Sequence, residues 1–215
     1  MQKTMRLVSL TITTVLLFCG LAQAQTGCPD LSMSSVWQDY EGPMVLLVFP
    51  DGSGPPMTEA TLAGGAIIDA TIYLTLYGGC DNYGVLLADF PAEDMWIESI
   101  DGSLVFCSGG NIADGPTDQE GKTQWSRPLS GGGWDLGTCR VAVTGDSSIA
   151  ASGLLLQFNS PDLNGDLKVD LTDVTGFAED FFSHTYNFRS DLAFDYVVNL
   201  SDITVMRAGM GKSCP

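Results

Sequence analysis

The chain is short of several things that common functions need. It has one histidine, His184, and only 9 lysines and arginines against 26 aspartates and glutamates in 215 residues. Histidine-dependent serine or cysteine catalysis would have to centre on His184, in "FFSHTYNF", and no G-x-S-x-G elbow accompanies it. The shortage of basic residues excludes a phosphate-neutralising surface and with it nucleic acid, and it disfavours an anionic membrane. No CxxC pair occurs, so neither a thioredoxin-like site nor a zinc knuckle is supported. Beyond the first residues no apolar run is long enough to span a bilayer. No helical stripe of useful length precedes Asn159.

What is there begins with "MQKTMRLVSLTITTVLLFCGLAQAQT". Lys3 and Arg6 start it, Leu7–Leu21 is mostly apolar, and Ala22-Gln23-Ala24 is a small-x-small cleavage site. Residues 1–24 are therefore expected to be a secretory signal peptide, and the mature chain to be secreted, extracellular or at the cell surface. Losing Lys3 and Arg6 takes the net charge from −17 to −19. So acidic a chain stays soluble or offsets its acids with cations.

Five cysteines remain after cleavage: Cys28, Cys80, Cys107, Cys139 and Cys214. Export permits disulfides, and an odd number leaves one cysteine over. Cys107 and Cys139 end or begin apolar runs of one region and are the expected pair; Cys28 is left open between Cys80 and Cys214.

From Met44 to Phe158 the pattern is that of sheet. "TIYLTLY" (Thr71–Tyr77) alternates Ile72, Leu74 and Leu76 with Tyr73, Thr75 and Tyr77, a strand buried on one side. "MVLLVF", "MWIESI", "LVFC", "KTQWS", "CRVAV" and "GLLLQF" are further short runs, separated by breaks rich in Gly, Asp and Pro. Such spacing reads as an all-β sandwich or a Greek-key barrel. "FCSGGNIADG" and "SGGGW" lack the lysine and setting of a phosphate loop and read as hairpin or sandwich loops.

After Phe158 the pattern changes. "DLNGDLKVDLTDVT" (Asp162–Thr175) returns 29 residues later as "DLAFDYVVNLSDIT" (Asp191–Thr204). Asp162, Asp166 and Asp173 match Asp191, Asp195 and Asp202, while Val169, Leu171 and Val174 match Val198, Leu200 and Ile203. Such a repeat implies two supersecondary units packed together. Each ends in a helix: "LTDVTGFAEDFF" places Val174, Phe177, Ala178, Phe181 and Phe182 at helical spacing, with Asp170, Thr172 or Asp173 as cap.

The spacing suits calcium, which takes six to eight hard oxygens. A twelve-residue loop supplies them from positions 1, 3, 5, 7, 9 and 12. In the first loop these are Asp162, Asn164, Asp166, the carbonyl of Lys168, Asp170 and Asp173. In the second they are Asp191, Asp195, the carbonyl of Val197, Asn199 and Asp202, with Ala193 leaving position 3 to water. Position 6, where positive φ favours glycine, is Leu167 in one loop and Tyr196 in the other, a strain of about 1–2 kcal/mol each. Position 8 is expected to pin each loop against its twin through Val169 and Val198.

Two resemblances add to this reading. "PAEDMWIES", "ADGPTDQEGKTQW" and the strand pattern resemble bacterial immunoglobulin-like domains, in which a Thr-Asp-x-x-Gly turn (here Thr117, Asp118 and Gly121) precedes a strand. Asp162 to about Gly211 looks like a dockerin domain, a calcium-dependent module of two loop–helix units. That resemblance implies a cohesin-like partner reached through loop positions 10 and 11: Leu171, Thr172, Leu200 and Ser201. Leucine replaces half of the usual hydroxyl pair, so docking of those leucines on the β-region of the same chain is an equal expectation.

The expected architecture is mainly β: an immunoglobulin-like β-sandwich over residues 25–158, then a small all-α dockerin-like two-loop calcium module over 159–215. The expected function is non-enzymatic attachment or assembly outside the cell, with Ca2+ as structural cofactor. Two alternatives are a carbohydrate-binding β-domain, with a glycan as partner and Trp37, Trp96, Trp125 or Trp134 as platform, and a cryptic glycoside hydrolase of a polysaccharide-degrading system. Asp89, Glu93, Asp94 and Glu98 gather near one strand, but no carboxylate pair stands out among them.

Overall fold

The computed structural model describes residues 27–80, 84–100, 103–150 and 153–215. The expected signal peptide lies outside the described residues. Among the described residues, eleven short strands form four small sheets, and the main apolar core lies between them. The strands β1 (Ser35–Gln38), β5 (Ile72–Thr75) and β8 (Lys122–Trp125) make an antiparallel sheet in the order β1-β5-β8. A second sheet runs β11-β2-β3-β4, from β2 (Met44–Leu47), β3 (Ala60–Thr61), β4 (Ile67–Ile68) and β11 (Leu156–Asn159). Two-stranded ribbons pair β6 (Met95–Ser99) with β10 (Cys139–Val143), and β7 (Leu104–Phe106) with β9 (Gly131–Gly133).

Alternation works as read: Ile72, Leu74 and Leu76 are fully buried, while Tyr73, Thr75 and Tyr77 are only partly so. The Thr117–Gly121 turn also forms. Thr117 is buried, its hydroxyl donating to Leu87 O at 2.6 Å. Asp118 Oδ1 accepts from the Glu120 and Lys122 N–H groups, and Gly121 takes φ 66° before β8 begins. Asp118 is thus a turn cap.

Mainly β is correct, but two finer expectations are not. An immunoglobulin-like sandwich has two antiparallel sheets; here there are four small ones, and β11 pairs parallel to β2. Nor is there a small all-α module after residue 158. The region contains two α-helices, α1 (Leu171–Ser183) and α2 (Leu200–Gly209), with a 3-10 turn at Phe188–Ser190 between them, and otherwise loop.

The reason lies in β2. "MVLLVF" is apolar at every position, so both faces of the strand need cover. Met44 and Leu46 enter the main core. On the other face, Leu47 packs with Leu163, Val169, Phe177, Leu192 and Met206, and Val45 with Phe188, Phe194 and Trp134. The loop–helix units supply that second layer.

Covalent and polar ties reinforce the layer. Cys107 bonds Cys214, not Cys139 as expected; Cys28 bonds Cys80. Cys139 faces the core from β10, fully buried and free, while Cys107, buried just after β7, meets the C-terminal segment instead. The fully buried Asn159 side chain donates to Phe188 O at 2.7 Å and Asp191 O at 3.1 Å. Lys212 Nζ lies 4.1 Å over the Phe49 ring. No helix among the described residues is long and apolar enough to cross a membrane.

Candidate metal centre

The repeat seen in sequence is a repeat of geometry. In the first loop the Asp162 carboxylate accepts from Asp166 N–H at 3.2 Å and Leu167 N–H at 2.7 Å, and also from Gly165 N–H at 2.9 Å. In the second, Asp191 accepts from Asp195 N–H at 3.2 Å and Tyr196 N–H at 3.0 Å. Position 12 behaves alike in both. Asp173 accepts from Asn164 N–H at 3.3 Å and Asp170 N–H at 2.8 Å. Asp202 accepts from Ala193 N–H at 2.8 Å and Asn199 N–H at 2.8 Å.

The backbone repeats as well. Positions 4 and 6 are left-handed in both loops: Gly165 (φ 71°) and Leu167 (φ 68°), then Phe194 (φ 55°) and Tyr196 (φ 62°). The strain expected at Leu167 and Tyr196 is therefore present. Each loop then runs into its helix through a capping box, Asp170 with Asp173 and Asn199 with Asp202.

Burial separates the candidate ligands into two kinds. Asp162, Asp173, Asp191 and Asp202, at positions 1 and 12, expose 0%, 1%, 1% and 0% of their surface. Asn164, Asp166, Lys168, Asp195 and Val197 are exposed, and Asp170 and Asn199 half-buried. None of the four buried carboxylates has a basic partner; the ion pairs among the described residues join Arg127–Asp114, Lys168–Asp170, Arg189–Asp180 and Lys212–Asp51. Burial, then the neighbouring Asp173 charge, pushes Asp162 up to about 6. Burial likewise raises Asp191 and Asp202. On the exposed side, the Lys168 ammonium 2.7 Å from Asp170 holds that carboxyl down at about 2.

Three contacts were not legible in the spacing. Gly132, in β9, lies against the Asp162 carboxylate: a Cβ there would overlap Oδ2 and stand 2.5 Å from Cγ. Gly133 N–H donates to Asp162 O at 2.6 Å. Only a glycine strand admits the position-1 side chain, and the run "SGGGW" was the available signal. The third is Tyr186, whose hydroxyl donates to Asp191 Oδ2 at 3.0 Å, a bond with no counterpart at Asp162 among the described residues.

Val169 and Val198 fall in one apolar cluster, Val169 buried and Val198 packed partly against it. The Val169 backbone pairs elsewhere: its N–H donates to Lys212 O and its O accepts from Gly211 N–H, both at 2.9 Å, in the segment that the Cys214 disulfide ties down. One further expectation needs correction. Leu171 and Leu200 do not dock on the β-region. They are 74% and 71% exposed, because both begin their helices on the side away from β2; Thr172 and Ser201 beside them are exposed too.

His184 caps α1 in a left-handed turn (φ 54°), exposed to solvent. Between the helices, Asp180 accepts from Arg189 Nε at 2.7 Å, Arg189 Nη2 at 3.0 Å, Asn187 Nδ2 at 3.0 Å and Ser190 Oγ at 2.6 Å. This network fixes the connection between the two units.

No family model matches the chain, and neither a curated protein nor a solved structure matches it. Among the described residues, no three His, Cys, Asp or Glu side chains already converge as a metal cluster. The donor set is nevertheless of the right chemistry, all oxygen, and the buried carboxylates at positions 1 and 12 lack a neutralising charge.

Proposed function

We propose that the chain is an exported, non-enzymatic protein in which calcium holds two dockerin-like loop–helix units for attachment or assembly outside the cell. One observation carries the reading: four fully buried carboxylates occupy positions 1 and 12 of two like-folded loops, and none forms an ion pair with a basic side chain. A buried charge is costly unless it is paired or coordinated. The first site would use Asp162, Asn164, Asp166, the Lys168 carbonyl, Asp170 and Asp173. The second would use Asp191, Asp195, the Val197 carbonyl, Asn199 and Asp202, with water for Ala193. Bound calcium supplies positive charge where the fold has collected negative charge, and its binding energy adds to folding. The chain's own part is to preset the two inner carboxylates through backbone N–H groups, leaving the exposed side chains to close over the ion.

The attachment part rests on the helices. Leu171, Phe182, Leu200, Ile203 and Met210 are exposed, and an apolar groove of about 360 Å³ lies between α1 and α2. Exposed apolar surface of this extent marks a contact face, and a cohesin-like domain is the partner that the repeat suggests. Two disulfides and a buried free thiol suit an oxidising compartment. The test is binding of purified cohesin domains in calcium and in chelator, by the mature chain and by Leu171→Arg/Leu200→Arg. Calcium-dependent binding lost in the double variant supports the reading. Calcium uptake without any cohesin contact would remove the partner and keep the metal.

A further inference from the structure

The sheet β1-β5-β8 carries a second cleft, sharing no residue with the two loops. Its outward face sets Trp37, Tyr73 and Gln124 side by side across the three strands, in register. Trp37 stacks on Tyr73 with ring centroids 4.3 Å apart and planes 20° from parallel, yet remains 47% exposed. The indole is therefore backed by one ring and open on the other side. The surrounding cleft holds about 550 Å³, within the usual range for small-ligand sites.

Its far wall is a built loop. Asp114 N–H donates to Gln124 O at 2.8 Å, and Asp114 Oδ2 accepts from Ser126 N–H at 2.9 Å and Ser126 Oγ at 2.6 Å. Thr123 Oγ1 donates to Gly115 O at 2.8 Å. The wall is thus preorganised, which lowers the entropy lost on binding. Around the platform stand an amide (Gln124), a carboxylate (Asp114), a hydroxyl (Thr75) and an ammonium (Lys122).

A ligand for this cleft has one flat apolar face for the indole and hydrogen-bonding groups round its edge. A lipid lacks the second feature, and a polyanion meets Asp114, Asp118 and a chain of net charge −17. We infer that the cleft over Trp37 and Tyr73 binds a neutral saccharide, with one pyranose ring stacked on Trp37 and its hydroxyls bonded to Gln124 and Asp114. The sequence offers Trp37, Trp96, Trp125 and Trp134 as platform candidates; Trp125 is fully buried and Trp134 packs against Phe188, whereas Trp37 is open to the cleft.

The experiment uses the mature chain in calcium buffer, titrated with neutral hexasaccharides of glucose, xylose, mannose and N-acetylglucosamine, followed by calorimetry and tryptophan emission. At least one should bind with a shift in emission. Trp37→Ala should weaken it about tenfold or more, the scale of a lost aromatic stack in a desolvated site. Gln124→Ala should weaken it with the melting temperature unchanged, which separates a lost contact from a lost fold. No heat with any of the four at about 10 mM, where millimolar affinity still registers, overturns the inference. So does wild-type affinity in both variants.

Discussion

Gly132 and Asp162 fit together as space and occupant: the side chain that β9 lacks is the room that the first loop's leading carboxylate fills. Gly132→Ala should push Asp162 out of place, costing about 1–3 kcal/mol of stability as overpacking does. Calcium affinity should fall with it. Urea unfolding in chelator and in calcium measures both. Equal stability of variant and wild type would mean that the loop does not rest on β9.

The buried carboxylates make stability depend on pH with a definite sign. Asp162 is raised from 3.8 to about 6, and Asp191 and Asp202 are raised in the same direction. A carboxyl raised in the fold binds protons more tightly there than when unfolded. Its favourable contribution is complete below 3.8 and is lost as pH rises through about 6. In chelator, the melting temperature should therefore fall between about pH 4 and pH 6.5, the Asp162 share reaching about 3 kcal/mol. Asp30, Asp51, Asp146, Asp170 and Asp180 lie below their ordinary value and act in the opposite sense, but below 3.8. Saturating calcium should flatten or reverse the fall. A rise across that window in chelator would contradict the burial of these groups uncompensated.

The disulfide map gives a clean chemical expectation. Cys139 is fully buried, and burial raises its thiol well above the ordinary range. A thiol reagent should find nothing in the native mature protein and one group per chain in denaturant without reductant. Replacing Cys107 and Cys214 together by serine should cost about 2–5 kcal/mol. A peptide map linking Cys107 to Cys139 would overturn the arrangement.

Tyr196 offers a stabilising change. It sits at φ 62° with 63% of its surface exposed, so a glycine there removes backbone strain and gives up little burial. Tyr196→Gly should raise stability by about 1 kcal/mol, measured by denaturant midpoint. Loss of stability would show that the ring contact with Tyr186, at 6.1 Å, outweighs the strain.

Local patterns were the most legible part of this chain. Alternation gave β5, and the repeat gave two loops that share their left-handed positions 4 and 6 and the main backbone bonds to positions 1 and 12. Helical spacing gave α1, with Asp170 the cap among the three candidates that the sequence offers. What failed was long-range. The unbroken apolar run in "MVLLVF" carried the signal that both faces of β2 need cover, but not which segment covers the second. Without that, spacing leaves docking on the β-region as one of two expectations, points to Leu171 and Leu200 as its contacts, and pairs Cys107 with Cys139. Partners such as Gly132 for Asp162 and Tyr186 for Asp191 depend on that same docking, so no spacing rule reaches them.

The most direct measurement is a calorimetric calcium titration of the exhaustively chelated mature protein, with circular dichroism alongside, compared with Asp162→Asn/Asp191→Asn. Calcium held by the two loops requires saturable binding, one or two sites, with helix gained or stabilised, the first loop binding more tightly than the second, and the response abolished in the double variant. A titration silent in heat and in ellipticity would contradict it, leaving the four buried carboxylates as a packed acidic core that binds no ion.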